Sequence, residues 1–193
     1  MVTAVSGGSE DTRTKILAEA VDLFAEKGFS ASTTRELAER MGFTKAALYY
    51  HFHTKDDLLM ALLEPIAARI TELTTASRLP GDAGRRQLLA GYADLVSTHG
   101  RVIRILAQDP TIARNPRVTT LSRAAYGLLS EALCIPGVDR TTALTRVRAA
   151  LGAIHTALLR ANPEDDAALV RAVTLTAASA ALGLAPADED GGQ

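Results

Sequence analysis

The stretch TTRELAERMGFTKAALYYHFHTK, residues 33–55, restricts the fold more than any other part of the chain. It reads as two short helices joined by a tight turn. Thr33 and Glu36 have the spacing of a capping box, in which a hydroxyl and a carboxylate each close one free N–H. Leu37, Ala38 and Met41 form an apolar stripe. Gly42 then ends the first helix, because a residue without Cβ takes the left-handed C′ conformation at little cost. Phe43 follows as the apolar residue after it. Thr44 opens a second helix over residues 45–52, with Leu48 and Phe52 at helical spacing on its buried side. Lys45, Ala46, Tyr49 and Tyr50 are left facing outward. A helix, a glycine turn and a second helix carrying small exposed residues make a shape that fits a DNA major groove.

The flanking segments extend this pattern. T-R-T-K-I-L-A-E-A and L-F-A-E-K-G-F precede it, T-T-R-E-L-A and G-F-T-K-A-A-L-Y-Y-H-F lie within it, and T-K-D-D-L follows. In this order and at these spacings they resemble the TetR family of one-component transcriptional regulators, over residues 12–63. Beyond residue 63 the likeness is one of helical layout and length. Ala46 stands where many members carry Gly or Pro, and His53 where Lys is common. Both departures bear on base preference and phosphate affinity. The resemblance implies an all-α protein, with an N-terminal three-helix helix-turn-helix DNA-binding domain and a C-terminal helical ligand-binding and dimerisation domain. The expected boundaries are 10–54 for the first, with the helix-turn-helix at about 33–52, and 55–185 for the second.

Composition agrees with an all-helical protein: Ala and Leu dominate, aromatics are 4% of the 193 residues, and β-branched runs are short. The formal net charge of −1 gives no general attraction to nucleic acid. Within residues 33–55, Arg35, Arg40, Lys45 and Lys55 outnumber Glu36 and Glu39, with His51 and His53 alongside. Such a patch alone gives weak non-specific DNA affinity, and dimerisation, which doubles the patch, would matter more. Cys134 is the only cysteine, so no intrachain disulfide can form, which fits a reducing cytoplasm. MVTAVSGGSE has neither a basic n-region nor an apolar h-region, and is not expected to be a signal peptide. No apolar run is long enough to span a bilayer, so no membrane partner is expected. The acidic end PADEDGGQ, residues 186–193, is expected to be disordered.

Taken in order, a first helix is expected over residues 12–27, with Ile16, Leu17, Ala20, Leu23 and Phe24 on one face. Gly28 and Phe29 close it. Thr54 caps a fourth helix that runs to about Ser77, with Asp56 and Asp57 in its first turn, where the helix dipole favours acids. Pro65 lies inside this helix, where it removes a backbone hydrogen bond. LPGDAG, residues 79–84, reads as a linker. Further helices are expected at 85–98, 102–108, 116–134, 140–161 and 163–182, with a short turn at 111–114. Asp109–Pro110, Asn115–Pro116 and Asn162–Pro163 each place a capping side chain before a proline at N1, and Asp139 caps the helix after the Pro136–Gly137 turn. Leu144, Val147, Leu151, Ile154 and Leu158 repeat as a heptad seam. The last helix is rich in alanine, Ala172 among them. By pattern alone these two helices suit an intrachain hairpin or an interface between copies equally; the resemblance implies a homodimer.

The residues singled out fall into three groups. In the reading head, Arg35 suits a bidentate contact to guanine, or else a phosphate contact. Thr34, Tyr50, His51 and Lys55 read as phosphate anchors beside the cap Thr33. Thr44, Lys45, Ala46, Ala47 and Tyr49 would face base edges. In the second half, Tyr92, His99, Arg104, Tyr126 and His155 are polar groups in apolar helices. They would orient an unknown small-molecule effector, or else satisfy backbone carbonyls and ion pairs. The third group is the seam and Ala172, as the dimer interface. No nucleophile–base motif, phosphate-binding glycine loop or metal spacing appears, so neither an enzyme nor a cofactor nor a metal site is expected. The expected function is a ligand-responsive regulator, most simply a repressor, bound to double-stranded palindromic operator DNA. The competing reading keeps the fold and the DNA but drops the effector, with control by a protein partner or by abundance.

Overall fold

A computed structural model of the protein describes residues 6–76 and 79–185, with side chains from Glu10 onward. The tail at 186–193, residues 1–5 and the expected helix end at Ser77 lie outside the described residues. The described residues form ten helices and no strand. They are α1 Ser6–Lys27, α2 Thr34–Arg40, α3 Lys45–His51, α4 Lys55–Ala76 and α5 Gly81–Thr98, then α6 Gly100–Gln108, α7 Pro110–Arg114, α8 Pro116–Leu133, α9 Arg140–Arg160 and α10 Ala167–Leu182.

Most starts and stops follow from local chemistry. Phe43 N–H reaches back to the Ala38 carbonyl at 2.8 Å and Gly42 N–H to Glu39 at 3.2 Å, with Gly42 at φ +65°, a complete glycine-terminated helix end. Thr54 and Asp57 cap each other reciprocally at the head of α4, each bond 3.0 Å. Asp109 accepts from Thr111 N–H at 3.0 Å, Asn115 from Arg117 N–H at 3.0 Å and Asp139 from Thr142 N–H at 3.0 Å. α4 runs through Pro65.

α1 starts at Ser6, six residues before the expected start, and three further features differ from the sequence reading. The expected linker 79–84 is mostly the first turn of α5, since Gly81 onward is helical and Arg85 inside it donates to the Cys134 carbonyl at 2.7 Å. Pro163 opens a turn, not a helix. Asp165 accepts the Asn162 N–H at 2.8 Å, and α10 waits for the stronger cap Asp166, whose carboxylate takes the N–H groups of Ala168 and Leu169 at 2.9 and 3.2 Å. The third is the capping box at Thr33: its hydroxyl accepts from Glu36 N–H at 3.1 Å, but the Glu36 carboxylate pairs with Lys27.

The chain divides into two compact units, and the division does not follow the boundary expected at residue 54. One unit is Met1–Ile66 with Arg101–Leu121; the other is Ala67–Gly100 with Ser122–Gln193. The first unit buries Ile16, Ala20, Leu23 and Phe24 of α1 together with Leu37, Ala38, Leu48, Phe52, Leu58 and Leu59. Phe24 and Phe29 meet edge to face, ring centroids 5.2 Å apart. Leu48 is fully buried, worth about 1.5–3 kcal/mol of apolar transfer, and it holds α3 against its neighbours while the rest of that short helix stays at the surface.

In the second unit α9 packs on α10 and on α5. Its core is Leu88, Leu89, Ala93 and Val96 of α5, Val147, Ala150, Leu151 and Ile154 of α9, and Ala178 and Leu182 of α10. Gly91 allows α5 to approach α4, since a Cβ there would fall 2.5 Å from a Leu73 methyl. The heptad seam is therefore corrected. Val147, Leu151 and Ile154 are 1%, 4% and 0% exposed within one copy, so they have no surface left for a partner. Leu144 and Leu158 are half-buried at its margins. The periodicity marks the face that α9 turns to α5 and α10.

Candidate nucleic-acid interface

α2 and α3 present a small, polar outer face. Thr33 accepts the Glu36 N–H, and Thr44 the Ala47 N–H at 3.1 Å, so both caps are filled by their own side chains. Lys45, Ala46 and Ala47 are exposed along α3, with Tyr49 and His51 half-buried. Tyr50 is 79% exposed, the most exposed large aromatic or aliphatic side chain among the described residues. Burial does not account for an aromatic in that position. Its ring meets His51 edge-on at 5.2 Å. The Lys45 ammonium lies 5.2 Å from the Tyr49 ring centroid, so the two cover one strip of the helix. Two adjacent alanines beside two tyrosines and a lysine leave room for a groove edge to come close to the backbone.

The charges are less available than their number suggests. Arg35 is exposed but its Nε donates to Glu39 at 2.8 Å, a bond that raises the guanidinium pKa. Arg40 pairs with Glu26 at 2.5 Å and with Glu19 at 3.6 Å. Lys55, expected to anchor phosphate, is corrected. Its ammonium donates to the carbonyls of Phe29 at 2.6 Å, Ser32 at 2.9 Å and Ser30 at 3.3 Å, and sits 4.4 Å from the Phe29 ring centroid. An ammonium has three N–H bonds, and all three are directed at carbonyls. Desolvation by burial lowers its pKa. Lys55 therefore ties the start of α4 to the turn between α1 and α2. One cation was missed from sequence: Arg13 of α1 lies 5.0 Å over the ring of Phe52, the residue that ends α3. No spacing rule links positions so far apart.

The expected effector residues are only partly gathered. Tyr92 of α5 and His155 of α9 bond directly, Oη to Nε2 at 2.7 Å, with ring centroids 5.6 Å apart. Burial pushes the Tyr92 phenol up to about 12 and lowers the His155 pKa, so both are neutral near pH 7. Tyr126 of α8 belongs to the same unit; its hydroxyl and that of Ser130, one turn on, are buried without a hydrogen-bond partner. His99 is half-buried and ends α5. Arg104 is exposed on α6 and belongs to the first unit. The second unit also holds a cavity of about 410 Å³ lined by Arg86, Ala90, Leu175, Ser179 and Leu184, and none of the five expected residues lines it. Among the described residues no three His, Cys, Asp or Glu side chains gather as a metal site. No helix there is long and apolar enough to cross a membrane.

Comparison with known proteins places this geometry. The profile described as "Bacterial regulatory proteins, tetR family" matches residues 16–62, the stretch from α1 to early α4. The transcriptional repressor KstR2 of Rhodococcus jostii is 30% identical over 122 residues, 61% of this chain and 59% of that one. The transcriptional repressor Rv3405c of Mycobacterium tuberculosis is 35% identical over 96 residues, 50% of this chain and 46% of the other. The chain thus spans about half the length of the curated relatives it matches. Fold likeness reaches further. The TetR family regulator PfmR of Thermus thermophilus superposes with a TM-score of 0.67 at 20% identity, covering 88% of this chain and 97% of that one. The ketosteroid regulator KstR2 of Mycobacterium tuberculosis gives 0.63 at 20% identity, over 93% and 95%. The segment at residues 16–62 thus matches the DNA-binding profile of the TetR family, and the all-helical fold is shared with solved TetR family regulators along most of the length.

Proposed function

We propose that the chain is a homodimeric transcriptional repressor that binds a palindromic operator and is released from it by a small-molecule effector. The observation that carries the DNA-binding part is the outer face of α3, with Lys45, Ala46 and Ala47 exposed and Tyr50 79% exposed, inside the segment that matches the family profile. Thr44, Lys45, Ala46, Ala47 and Tyr49 would meet base edges. Thr33, Thr34, Tyr50 and His51 would meet phosphates, and Arg35 would reach a guanine once it leaves Glu39. Reading helices of a two-fold dimer enter successive major grooves, so half-sites should lie about one helical turn apart or a little more.

On this reading the dimer face lies on α10 and not on the buried seam of α9. Leu169 and Val173 are 60% and 59% exposed, and Ala172 is exposed beside them. Their spacing puts them on one stripe, and a second copy would cover it isologously. On the same reading the effector would bind in the second unit, where the buried hydroxyls of Tyr126 and Ser130 lack partners and the Tyr92–His155 pair offers a neutral polar contact. α4 carries the chain unbroken from Lys55 to Ala76, a covalent route along which ligand binding could act on the reading head. The single cysteine, exposed at Cys134, suits a cytoplasmic setting. Selection of duplexes from random-sequence DNA, followed by sedimentation of the protein alone, tests the reading. An imperfect palindrome and a dimer are expected; no enriched sequence, or a stable monomer at micromolar concentration, would overturn it.

A further inference from the structure

One residue of the turn between α1 and α2 is held from two directions. The N–H of Ser30 donates to Asp109 Oδ2 at 2.8 Å, and its carbonyl accepts from Lys55 at 3.3 Å. The Ser30 hydroxyl lies 2.9 Å from each Asp109 carboxylate oxygen and 2.7 Å from the Thr111 hydroxyl. Asp109 is the residue between α6 and α7, and the same carboxylate accepts from the N–H and hydroxyl of Thr111 at 3.0 and 2.6 Å. It therefore caps α7 and grips a turn 79 residues earlier in the chain at the same time. The ties continue round a ring. Asp56 of α4 accepts from the Asn115 amide at 2.8 Å, and Asp57 from Arg117 at 2.8 Å, both at the α7–α8 junction. All of these groups belong to the first unit.

We propose that Ser30 and Asp109 are positioning residues for DNA recognition, a latch by which the α6–α7 junction sets where the α1–α2 turn, and with it α2 and α3, is held. The proposal rests on the DNA-binding reading above and adds the point at which control enters the reading head. α4 supplies one hold on the turn through Lys55, and α6–α7 supplies the other through Asp109. Moving either junction by more than a hydrogen-bond length releases one side of Ser30 and leaves the other attached. The turn then pivots instead of coming free.

Asp109→Asn separates latch from cap. Asn caps helices as well as Asp, so α7 keeps its start. An amide keeps one acceptor oxygen for the Thr111 donors and puts an NH2 group where the Ser30 N–H now finds Oδ2, so the backbone tie to Ser30 is lost while its hydroxyl can still pair with the amide. Ser30→Ala removes the hydroxyl and leaves the cap untouched, which covers the case in which Asp109→Asn does not fold. Two readouts are taken on the full chain. Backbone hydrogen exchange should rise about ten-fold for residues 30–43 in either variant, with α9 amides unchanged. Affinity for the duplex that the wild type selects from random-sequence DNA should fall about ten-fold, with affinity for unselected DNA changed by less than about two-fold. The double variant should lose less than the sum of the two single ones, because both substitutions weaken the same Ser30–Asp109 junction. Unchanged exchange over residues 30–43 in both variants, or equal losses on selected and unselected duplex, would overturn the latch. A wild type that selects no sequence ends the DNA-binding reading instead, and the exchange result then decides the latch alone.

Discussion

The ammonium of Lys55 lies 2.6 Å from the carbonyl oxygen of Phe29, and its two other protons point at Ser32 and Ser30. A lysine at the head of α4, beside the proposed DNA-reading pair, is thereby committed to backbone. Lys55→Met keeps most of the stem and removes the three bonds. Leaving three carbonyls of the turn without their donor should cost roughly 1–3 kcal/mol in urea unfolding. The salt dependence of DNA binding should keep its slope. A phosphate anchor would do the reverse, lowering the slope by about one with little change in stability.

Arg35 and Glu39 form an exposed pair, which DNA would have to open on the proposed function. Glu39→Gln releases the guanidinium and should strengthen binding to unselected duplex at low salt, with a steeper salt slope. Arg35→Ala should weaken selected duplex roughly ten-fold more than unselected, and relax preference at one base position. Equal losses on both in filter binding would remove Arg35 from the base-reading set.

Two glutamate substitutions separate core from interface. Leu151→Glu places an unpaired charge among α5, α9 and α10, and should unfold the second unit or lower its Tm steeply. Val173→Glu sits on an exposed stripe, so it should leave helicity and Tm of the protomer intact while sedimentation shows monomers. A Val173→Glu dimer of wild-type strength would move the interface elsewhere.

Acid should weaken the fold in two separate windows. His155 has a lowered folded pKa because burial penalises its charge. Its contribution is full above the unfolded value of about 6.5 and declines as pH falls below that. Asp109 has a folded pKa well below the ordinary carboxylate range, first because of the Thr111 hydroxyl bond and then because of the Thr111 and Ser30 N–H groups and the Ser30 hydroxyl. Its contribution is full above about pH 4 and declines below it. His155→Gln should flatten the stability curve from about pH 6.5 downward, and Asp109→Asn should flatten it below about pH 4, each read by thermal unfolding across pH.

Tyr126→Phe tests whether the buried hydroxyls of α8 await a ligand. Removing an unpartnered buried hydroxyl should stabilise the ligand-free protein by about 1 kcal/mol, since its desolvation is no longer uncompensated. The same change should blunt the response to whichever effector a thermal-shift screen identifies.

How much was legible in sequence depends on the range of the interaction. Caps and helix ends at Gly42, Thr44, Thr54, Asp109, Asn115 and Asp139 follow from neighbours a few residues away, and they were read directly. Asn162–Pro163 misled because Asp166, four residues on, is a competing cap with two N–H partners. The seam on α9 was found, but periodicity records which face is apolar, and not whether the covering surface belongs to the same copy. The occupancy of Lys55, the grip of Asp109 on Ser30 and the Tyr92–His155 bond join residues 23 to 79 positions apart, and nothing in local spacing encodes them.

The ion pairs of the reading head have a consequence for kinetics. Among residues 33–55, Arg35 and Arg40 are held by Glu39, Glu26 and Glu19, and Lys55 is held by carbonyls, which leaves Lys45 stacked on Tyr49 as the outward cation. A chain of net charge −1 with so little positive surface has weak hold on an arbitrary stretch of duplex. On the proposed function, it would spend little time parked on wrong sites and would sample DNA by frequent, brief encounters instead of long sliding. Residence at the right site would then come from two copies docking together, so occupancy of the operator would follow protein concentration steeply.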